Sequence, residues 1–258
     1  RALSVTFTNS TVTSAGTFSA NTIALVYNSV LTHPSTGLTG MQKLDITATA
    51  MSIDATSKID VSGRGYLGGW QGGNNTTTGR TYDNMTTGGS TYANGGSYGG
   101  LGGYGSGGSV NSLYSDPTNP NAVGSGGGGA DYSDYYYYKI PGGNGGGLVW
   151  VKANTLTVDG SIVADGGSGG CFYVCAGGGS GGGIKVEVGT LSGTGMISAK
   201  GGGVAMFYGG GGGGGRIAVY YDTLTLPQEK ITAVGGISGS GGTASRNGGA
   251  GTVRIQLR

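Results

Sequence analysis

The feature that most constrains the fold of this chain is a junction at which a run of glycines leads directly into an alternating apolar strand. Gly209–Gly215 is such a run, and Arg216–Tyr221 follows it without a spacer. Glycine has no side chain to bury, and it loses more conformational entropy than any other residue when it is ordered. The junction recurs at Gly145–Gly147, Gly181–Gly183 and Gly248–Gly251. We therefore interpret it as part of a structural repeat.

The repeat has a regular period. The strands that follow the glycine runs begin at residues 148, 184, 216 and 252, so the unit starts lie 36, 32 and 36 residues apart (184 − 148, 216 − 184, 252 − 216). A leucine stands at the same position of three units, namely Leu156, Leu191 and Leu224. An earlier unit within residues 44–63 has Met51 at the equivalent position. Self-similarity at a period of this size is the signature of a solenoid.

Each unit offers three short strands separated by tight turns, which predicts an all-β chain with almost no helix. We expect a right-handed parallel β-helix, in which equivalent aliphatic residues of successive units stack inside. The residues expected to be buried are Val149, Leu156, Ile162, Ile184, Leu191, Ile197, Ile217, Leu224 and Ile231. An antiparallel sandwich or jelly roll built of the same short strands is the alternative.

We expect a single domain, 1–258, with three parts: N-terminal units (1–63), an insertion rich in Gly, Tyr, Asn and Ser (64–147), and units with glycine-rich excursions (148–258). A structureless loop as long as the insertion is uncommon in a compact domain. Glycine runs can adopt the extended threefold polyproline-II conformation, and their backbones can pack closely because no Cβ intervenes. The long glycine-rich loops are therefore predicted to form a polyglycine-II-like layer beside the β-helix.

The units resemble the glycine-rich β-helical repeats of large extracellular surface and adhesin-like proteins. The shared pattern is an Ile/Val strand, a leucine, then Gly-x-Ile-x-Ala-x-Gly-Gly, as in 160–167 and 195–202. Residues 148–258 follow the pattern, although its first glycine is missing from one unit, where Lys230 precedes Ile231. The polyglycine runs are also similar in composition to the adhesin tips of some phage tail fibres. Both resemblances imply surface structure or attachment rather than an enzyme.

Charge gives no indication of a nucleic-acid or membrane partner. The chain has 14 basic and 12 acidic residues, a net charge of +2. That balance provides no electrostatic footprint for nucleic acid or for an anionic membrane surface. No apolar run approaches the roughly 20 residues needed to span a bilayer. We therefore expect neither nucleic-acid binding nor membrane insertion.

Residues that carry catalysis or bind metals are few or scattered. His33 is the only histidine, which leaves little material for a metal site or a catalytic triad, and we expect it in an exposed turn. Turn and solvent roles are expected for the acids that stand out by position, Asp131, Asp134, Asp159 and Asp165. Residues 126–133 resemble one calcium-binding nonapeptide, but the motif does not repeat. We expect no metal and no cofactor.

Cys171 and Cys175 lie close together within a glycine excursion. A short-loop disulfide at the tip of a hairpin is expected if the protein is extracellular, and two free thiols are the alternative. In a secretory pathway the sequons would permit N-glycosylation. Their asparagines are Asn9, Asn74, Asn75 and Asn84.

Our first functional hypothesis is a non-enzymatic extracellular or cell-surface structural protein, a subunit of a fibre, sheath or adhesive appendage. The alternating strands near the two ends of the sequence would pair head to tail with other copies, and such a contact propagates into a homopolymer. The interface residues predicted for this contact are Leu3, Val5, Phe7, Val253, Ile255 and Leu257.

The second hypothesis is an adhesin-like module whose insertion binds a glycan, a receptor or a cell surface. Tyrosine and tryptophan rings present an apolar face with a polar tip, which suits contact with sugars. The candidate binding residues are Tyr66, Trp70, Tyr82, Tyr92, Tyr98, Tyr104, Tyr135, Tyr136 and Tyr137. The third hypothesis is a polysaccharide-active β-helix enzyme, which needs carboxylates that converge on a cleft.

Overall fold

The computed structural model describes residues 3–132, 138–206, 208–239 and 246–258. It is an all-β structure with two large sheets. The described residues include no α-helix, and the 3₁₀ turns Tyr82–Asn84 and Gln228–Lys230 are short. The strands are numbered in chain order.

The long-strand sheet has seven strands. In spatial order they are β1 (Ser4–Thr8), β3 (Gly16–Val26), β5 (Leu44–Ile53), β9 (Leu148–Val158), β11 (Gly183–Ser192), β13 (Arg216–Leu224) and β15 (Thr252–Leu257). The short-strand sheet has six. They are β2 (Thr11–Thr13), β4 (Val30–Thr32), β6 (Lys58–Asp60), β10 (Ser161–Val163), β12 (Met196–Ser198) and β14 (Ile231–Thr232). A separate hairpin consists of β7 (Ala130–Tyr132) and β8 (Tyr138–Ile140).

Every strand pair within the two large sheets is parallel. Apart from the β7–β8 hairpin, consecutive strands alternate between the sheets, so neighbours within a sheet are two strands apart in sequence. The antiparallel sandwich or jelly roll is therefore wrong, because those folds need antiparallel ladders in the main sheets.

The register of the long-strand sheet corresponds to the sequence repeat. Ile184 pairs with Val149 on one side and with Ile217 on the other. The insertion leaves this ladder uninterrupted, since β5 pairs directly with β9 and Met51 lies beside Leu156. Side chains alternate between the two faces of a strand, so a constant register puts all equivalent aliphatic residues on one face.

These aliphatic residues form one continuous core between the two sheets. Those predicted to be buried are buried, with one exception. Leu224 is only half-buried. The cause is local, since β15 pairs with residues Arg216–Tyr221 and puts no equivalent side chain against Leu224. Stacking on both sides is what removes the other members of the column from water.

His33 is fully buried, so the expectation of an exposed turn residue is wrong. Its Nε2 accepts a hydrogen bond of 3.1 Å from the N–H of Leu148 at the start of β9. Its Nδ1–H donates to the carbonyl of Pro34 at 2.7 Å. The ring thus hydrogen-bonds backbone groups just after β4. Its burial is tolerated because both ring nitrogens are hydrogen-bonded.

A second layer, called here the glycine layer, is built from glycine-rich segments whose backbones pack directly against one another. They are residues 65–69, 93–103, 124–129, 142–147, 164–169, 176–183, 199–203, 209–215, 233–238 and 246–251. Several run straight into β9, β11, β13 and β15, so the layer lies against the ends of the long-strand sheet.

Hydrogen bonds in the glycine layer follow a three-residue period. The N–H groups of residues 210–215 donate in rotation to segments 93–96, 246–249 and 199–202, at 2.7–2.9 Å. The carbonyls of the same residues accept in rotation from segments 178–181 and 99–103 and from residues 236 and 252. One segment is thereby bonded to six neighbouring stretches of chain, two of which belong to segment 93–103, whereas a strand of a sheet is bonded to two.

Close packing explains why these segments are glycine. A Cβ at Gly212 would overlap the carbonyl of Gly179, and one at Gly201 would overlap the carbonyl of Gly212. The same overlap with a neighbouring backbone occurs at most positions of the layer. Only glycine fits at such an axis, as in the collagen triple helix.

Candidate binding surface

The glycine segments connect the sheets at one end to loops at the other. This second end is called here the loop end. Its loops are residues 91–93, 104–109, 130–132, 138–141, 170–175, 204–206, 237–239 and 246–247, together with Tyr208. A small apolar cluster of Ala93, Ala130, Ile140 and Ala176 lies beneath them. The N–H of Val204 donates to the carbonyl of Ile237, which ties two loops directly.

Six of the aromatic side chains that the structure describes are exposed at the loop end, and together they are called here the aromatic surface. They are Tyr92 (56 %), Tyr104 (54 %), Tyr138 (44 %), Phe172 (48 %), Tyr173 (70 %) and Tyr208 (48 %). The ring of Phe172 lies 4.8 Å from that of Tyr138 and 4.7 Å from that of Tyr173, centroid to centroid. Arg246 lies over the ring of Tyr208 at 5.5 Å.

A disulfide between Cys171 and Cys175 closes the hairpin that carries Phe172 and Tyr173. Inside it the N–H of Phe172 donates to the carbonyl of Val174 at 3.0 Å. Cys175 is fully buried against the layer, and Cys171 is exposed. The bridge therefore fixes an exposed aromatic tip to a rigid base.

The predicted aromatic binding residues divide into several groups. Tyr92 and Tyr104 lie in the aromatic surface. Trp70 is half-buried, where its Nε1–H donates to Asp131 at 2.9 Å and Lys139 lies 4.2 Å from its ring. Tyr82 is exposed at the opposite end of the layer, where its ring lies 5.5 Å from that of Tyr114. Tyr135, Tyr136 and Tyr137 lie outside the described residues.

Tyr66 and Tyr98 are not surface residues, so their assignment to a binding surface is wrong. Only 3 % of Tyr66 and none of Tyr98 is exposed. Both lie where the glycine layer meets the long-strand sheet, and Arg216 covers the ring of Tyr98 at 5.4 Å. Burial raises the pKa of each hydroxyl to about 12. Nothing in their Gly- and Ser-rich sequence context separates them from the exposed tyrosines.

The sequon asparagines also differ in accessibility. Asn9 and Asn75 are exposed, and Asn84 is half-buried. Asn74 is buried, and its Nδ2 donates to the carbonyls of Gly68 and Thr78 at 2.9 and 2.8 Å. Nδ2 is the atom to which a glycan would be attached, so glycosylation at Asn74 is incompatible with this fold.

The residues predicted for a head-to-tail contact lie on the outermost strands of the long-strand sheet, β1 and β15. Leu3, Val253 and Leu257 are exposed, by 55 %, 40 % and 62 %. Val5, Phe7 and Ile255 are half-buried, and the latter two pack against the chain's own core. The members of the set that another copy could reach are therefore the three exposed ones.

The acids considered for catalysis have structural hydrogen-bonding roles. Asp159 accepts from the N–H of Thr194 at 3.1 Å, and Asp165 accepts from the hydroxyl of Ser198 and the N–H of Lys200 at 2.7 Å. Asp134 lies outside the described residues. Among the residues that the structure describes, no three His, Cys, Asp or Glu side chains meet as a metal site would require.

The fold defines an all-β protein with long parallel sheets. Comparison of the chain with protein-family models, with curated proteins and with solved structures finds no match. Within the described part of the chain, no helix has the length and apolar character needed to cross a membrane. Function must therefore be argued from the geometry and chemistry of the surfaces.

Proposed function

We propose that this chain is a non-enzymatic binding module of an extracellular or cell-surface protein, and that the aromatic surface contacts glycans. The observation that carries the proposal is the concentration of six exposed aromatic rings, counted among the described residues, at one end of a layer of directly packed glycine-rich backbones. Exposed aromatic patches of this kind mark interaction sites in folded proteins.

The architecture that we propose for the scaffold is a right-handed parallel β-helix with a polyglycine-II layer. Alternation of consecutive strands between two parallel sheets, in constant register, supports the β-helix. Right-handed crossovers are the rule for parallel strands. Rotation of hydrogen-bond partners every three residues supports the polyglycine-II assignment, because that conformation has three residues per turn.

Rigidity of the base supports a binding role for the loops. Backbone hydrogen bonds in three directions hold each glycine segment, so the loops between segments start and end at fixed points. Binding groups that are held before the ligand arrives lose less entropy on association. A surface of tyrosines on such a base suits a hydroxyl-rich ligand, since the rings supply apolar contact and the hydroxyl groups supply hydrogen bonds.

The disulfide of the aromatic hairpin supports an extracellular or cell-surface location, because such bonds persist in oxidising compartments. The hydrogen-bonding roles of Asp131, Asp159 and Asp165 support a binding function rather than polysaccharide cleavage. A glycosidase needs two carboxyl groups that face one another across a cleft.

The test compares glycan binding by two tyrosine variants of equal exposure. Tyr173 is 70 % exposed in the aromatic surface, and Tyr27 is 69 % exposed beside the sheets. We expect Tyr173→Ala to weaken binding to a glycan array or to intact cells about tenfold or more, in line with the loss of one aromatic anchor. Tyr27→Ala should leave binding unchanged. Equal binding by both variants and the parent protein contradicts the proposal.

A fibre subunit is the second candidate, and the exposed apolar side chains of the outer strands favour it. Leu3, Val253 and Leu257 lie beside backbone edges of β1 and β15 that have no partner among the described residues. Such edges template pairing with another chain. Electron microscopy and sedimentation distinguish the candidates: filaments that persist in high salt and are abolished by Leu257→Lys support a fibre. A monomer at high concentration excludes it.

A further inference from the structure

The outer face of the long-strand sheet carries a recess of about 400 Å³, remote from the loop end. The residues that line it are Thr118, Lys152, Lys185, Glu187, Tyr220 and Arg258. Lys152, Glu187 and Tyr220 are direct neighbours in the ladder of β9, β11 and β13. Their side chains project from three adjacent strands at one level, so the floor of the recess is as rigid as the sheet.

One wall of the recess comes from the insertion. The hydroxyl of Tyr220 donates to the carbonyl of Thr118 at 2.6 Å. The Nε1–H of Trp150 donates to the carbonyl of Pro120 at 2.7 Å. Two hydrogen bonds from the sheet thus hold this loop against the outer face. The wall and the floor are therefore fixed relative to each other.

The lining carries an excess of positive charge. Three cations and one carboxylate give a net charge of +2 (3 − 1). Lys185 is paired with Glu187 at 2.7 Å, and Arg258 is paired with Asp222. Lys152 is exposed, and among the described residues it takes part in no ion pair. The recess therefore has an unused cation on its β9 side and, at its β15 side, a guanidinium whose partner is itself exposed.

We propose that this recess binds a saccharide residue that carries one carboxylate or sulfate group. The acidic group lies between Lys152 and Arg258, where charge-assisted hydrogen bonds are available. The sugar ring lies against the ring of Tyr220, and its hydroxyl groups donate to the carboxylate of Glu187. The site is separate from the aromatic surface and does not depend on the function proposed for it.

The test measures binding of glucuronic acid, glucose 6-sulfate, glucose and inorganic sulfate to the full chain by titration with NMR detection. Both acidic sugars should shift the amide signals of Lys152, Glu187 and Tyr220, and their affinity should fall as salt is added. Glucose and inorganic sulfate should each bind about tenfold more weakly. Whichever acidic sugar binds better identifies the preferred acidic group.

Matched variants complete the test. Lys152→Gln should lower the affinity about fivefold without changing the melting temperature, because this side chain is exposed and forms no ion pair with any described residue. Lys200→Gln, at an exposed lysine away from the recess, should change neither. The proposal is overturned if Lys152→Gln binds as the parent does, if glucose binds as tightly as the acids, or if inorganic sulfate alone does. The last result identifies a simple anion site.

Discussion

The N–H of Leu148 donates a hydrogen bond of 3.1 Å to Nε2 of His33, a residue 115 positions earlier in the chain. Gly147 packs over the same ring, and a Cβ there would overlap Nε2. Because Nε2 accepts and Nδ1–H donates to Pro34, the imidazole is held neutral in one tautomer. This contact joins the N-terminal strands to the start of β9 across the whole insertion.

The first prediction concerns stability against pH. Burial lowers the pKa of His33, and the charge of Arg64 acts in the same direction. The unfolded chain therefore binds more protons, so the free energy of unfolding should decrease as the pH falls below about 6.5, by at most about 1.4 kcal/mol per pH unit. Urea titrations between pH 7.5 and 5 measure the decrease.

A non-titrating variant supplies the control. His33→Gln should give a flat profile over this range, since His33 is the only histidine. The depressed pKa values of Asp54 and Asp60 have their effect at lower pH, because the stability that they contribute is lost only below the usual carboxyl range. An unchanged slope in the variant would show that another group is responsible.

The second prediction separates two glycines that look alike in sequence. Gly212→Ala should destabilise the protein by about 3 kcal/mol, because the added methyl overlaps the carbonyl of Gly179 in a packed layer. At Gly249 the nearest heavy atom to an added Cβ is 3.4 Å away, and the residue is exposed. Gly249→Ala should therefore change the free energy of unfolding by less than about 1 kcal/mol. Equal effects in thermal melts would contradict the packing described.

The third prediction concerns the aliphatic column. Leu191 is fully buried between Leu156 and Leu224. Leu191→Ala should cost about 2–5 kcal/mol, and Leu191→Asp should cost more because it buries an unpaired charge. Thr155 faces outward one position before Leu156, so Thr155→Asp should be close to neutral. Chemical denaturation of the three variants is the measurement, and an unaltered Leu191→Asp midpoint argues against the register.

The fourth prediction concerns the disulfide. Unreduced protein should contain no alkylatable thiol at Cys171 or Cys175 by mass spectrometry. The bridge spans only four positions, so its removal should cost about 2 kcal/mol at most in chain entropy. We expect reduction to speed hydrogen exchange at Phe172 and to weaken glycan binding, while the exchange of Leu191 stays unchanged. Loss of protection throughout the sheets would instead assign the bridge a global role.

The strand register could be predicted from the sequence because it is set by the pattern of side chains. Aliphatic residues recur at fixed offsets in each unit, and the equivalent positions Val149, Ile184 and Ile217 are aligned by their neighbours as well as by their spacing. Local alternation and long-range stacking require the same residues at these positions. Because local alternation and long-range stacking agree, the repeat can be recognised in a single sequence.

The glycine layer and the aromatic surface were much harder to predict from the sequence. A glycine run has no pattern of side chains, so nothing within it indicates which segments become neighbours. The direction of each segment decides which tyrosines reach the loop end. Tyr98 and Tyr104 both lie in glycine-rich sequence, yet the chain reverses between them, so one is buried beside the sheet and the other is exposed. The sequence does not indicate that His33 is buried, because Leu148, whose N–H donates to its Nε2, lies 115 positions away.

The three-residue rotation of hydrogen-bond partners has a consequence for how such a chain can change length. Removing one glycine from 209–215 turns every later N–H by a third of a revolution, so each would face the wrong neighbouring segment. Removing three restores all the pairings. Insertions and deletions inside the layer should therefore be tolerated only in multiples of three residues, whereas the loops at its end are free to vary by any number. During evolution the layer of such a protein would change length in steps of three residues, and its loops would change length one residue at a time.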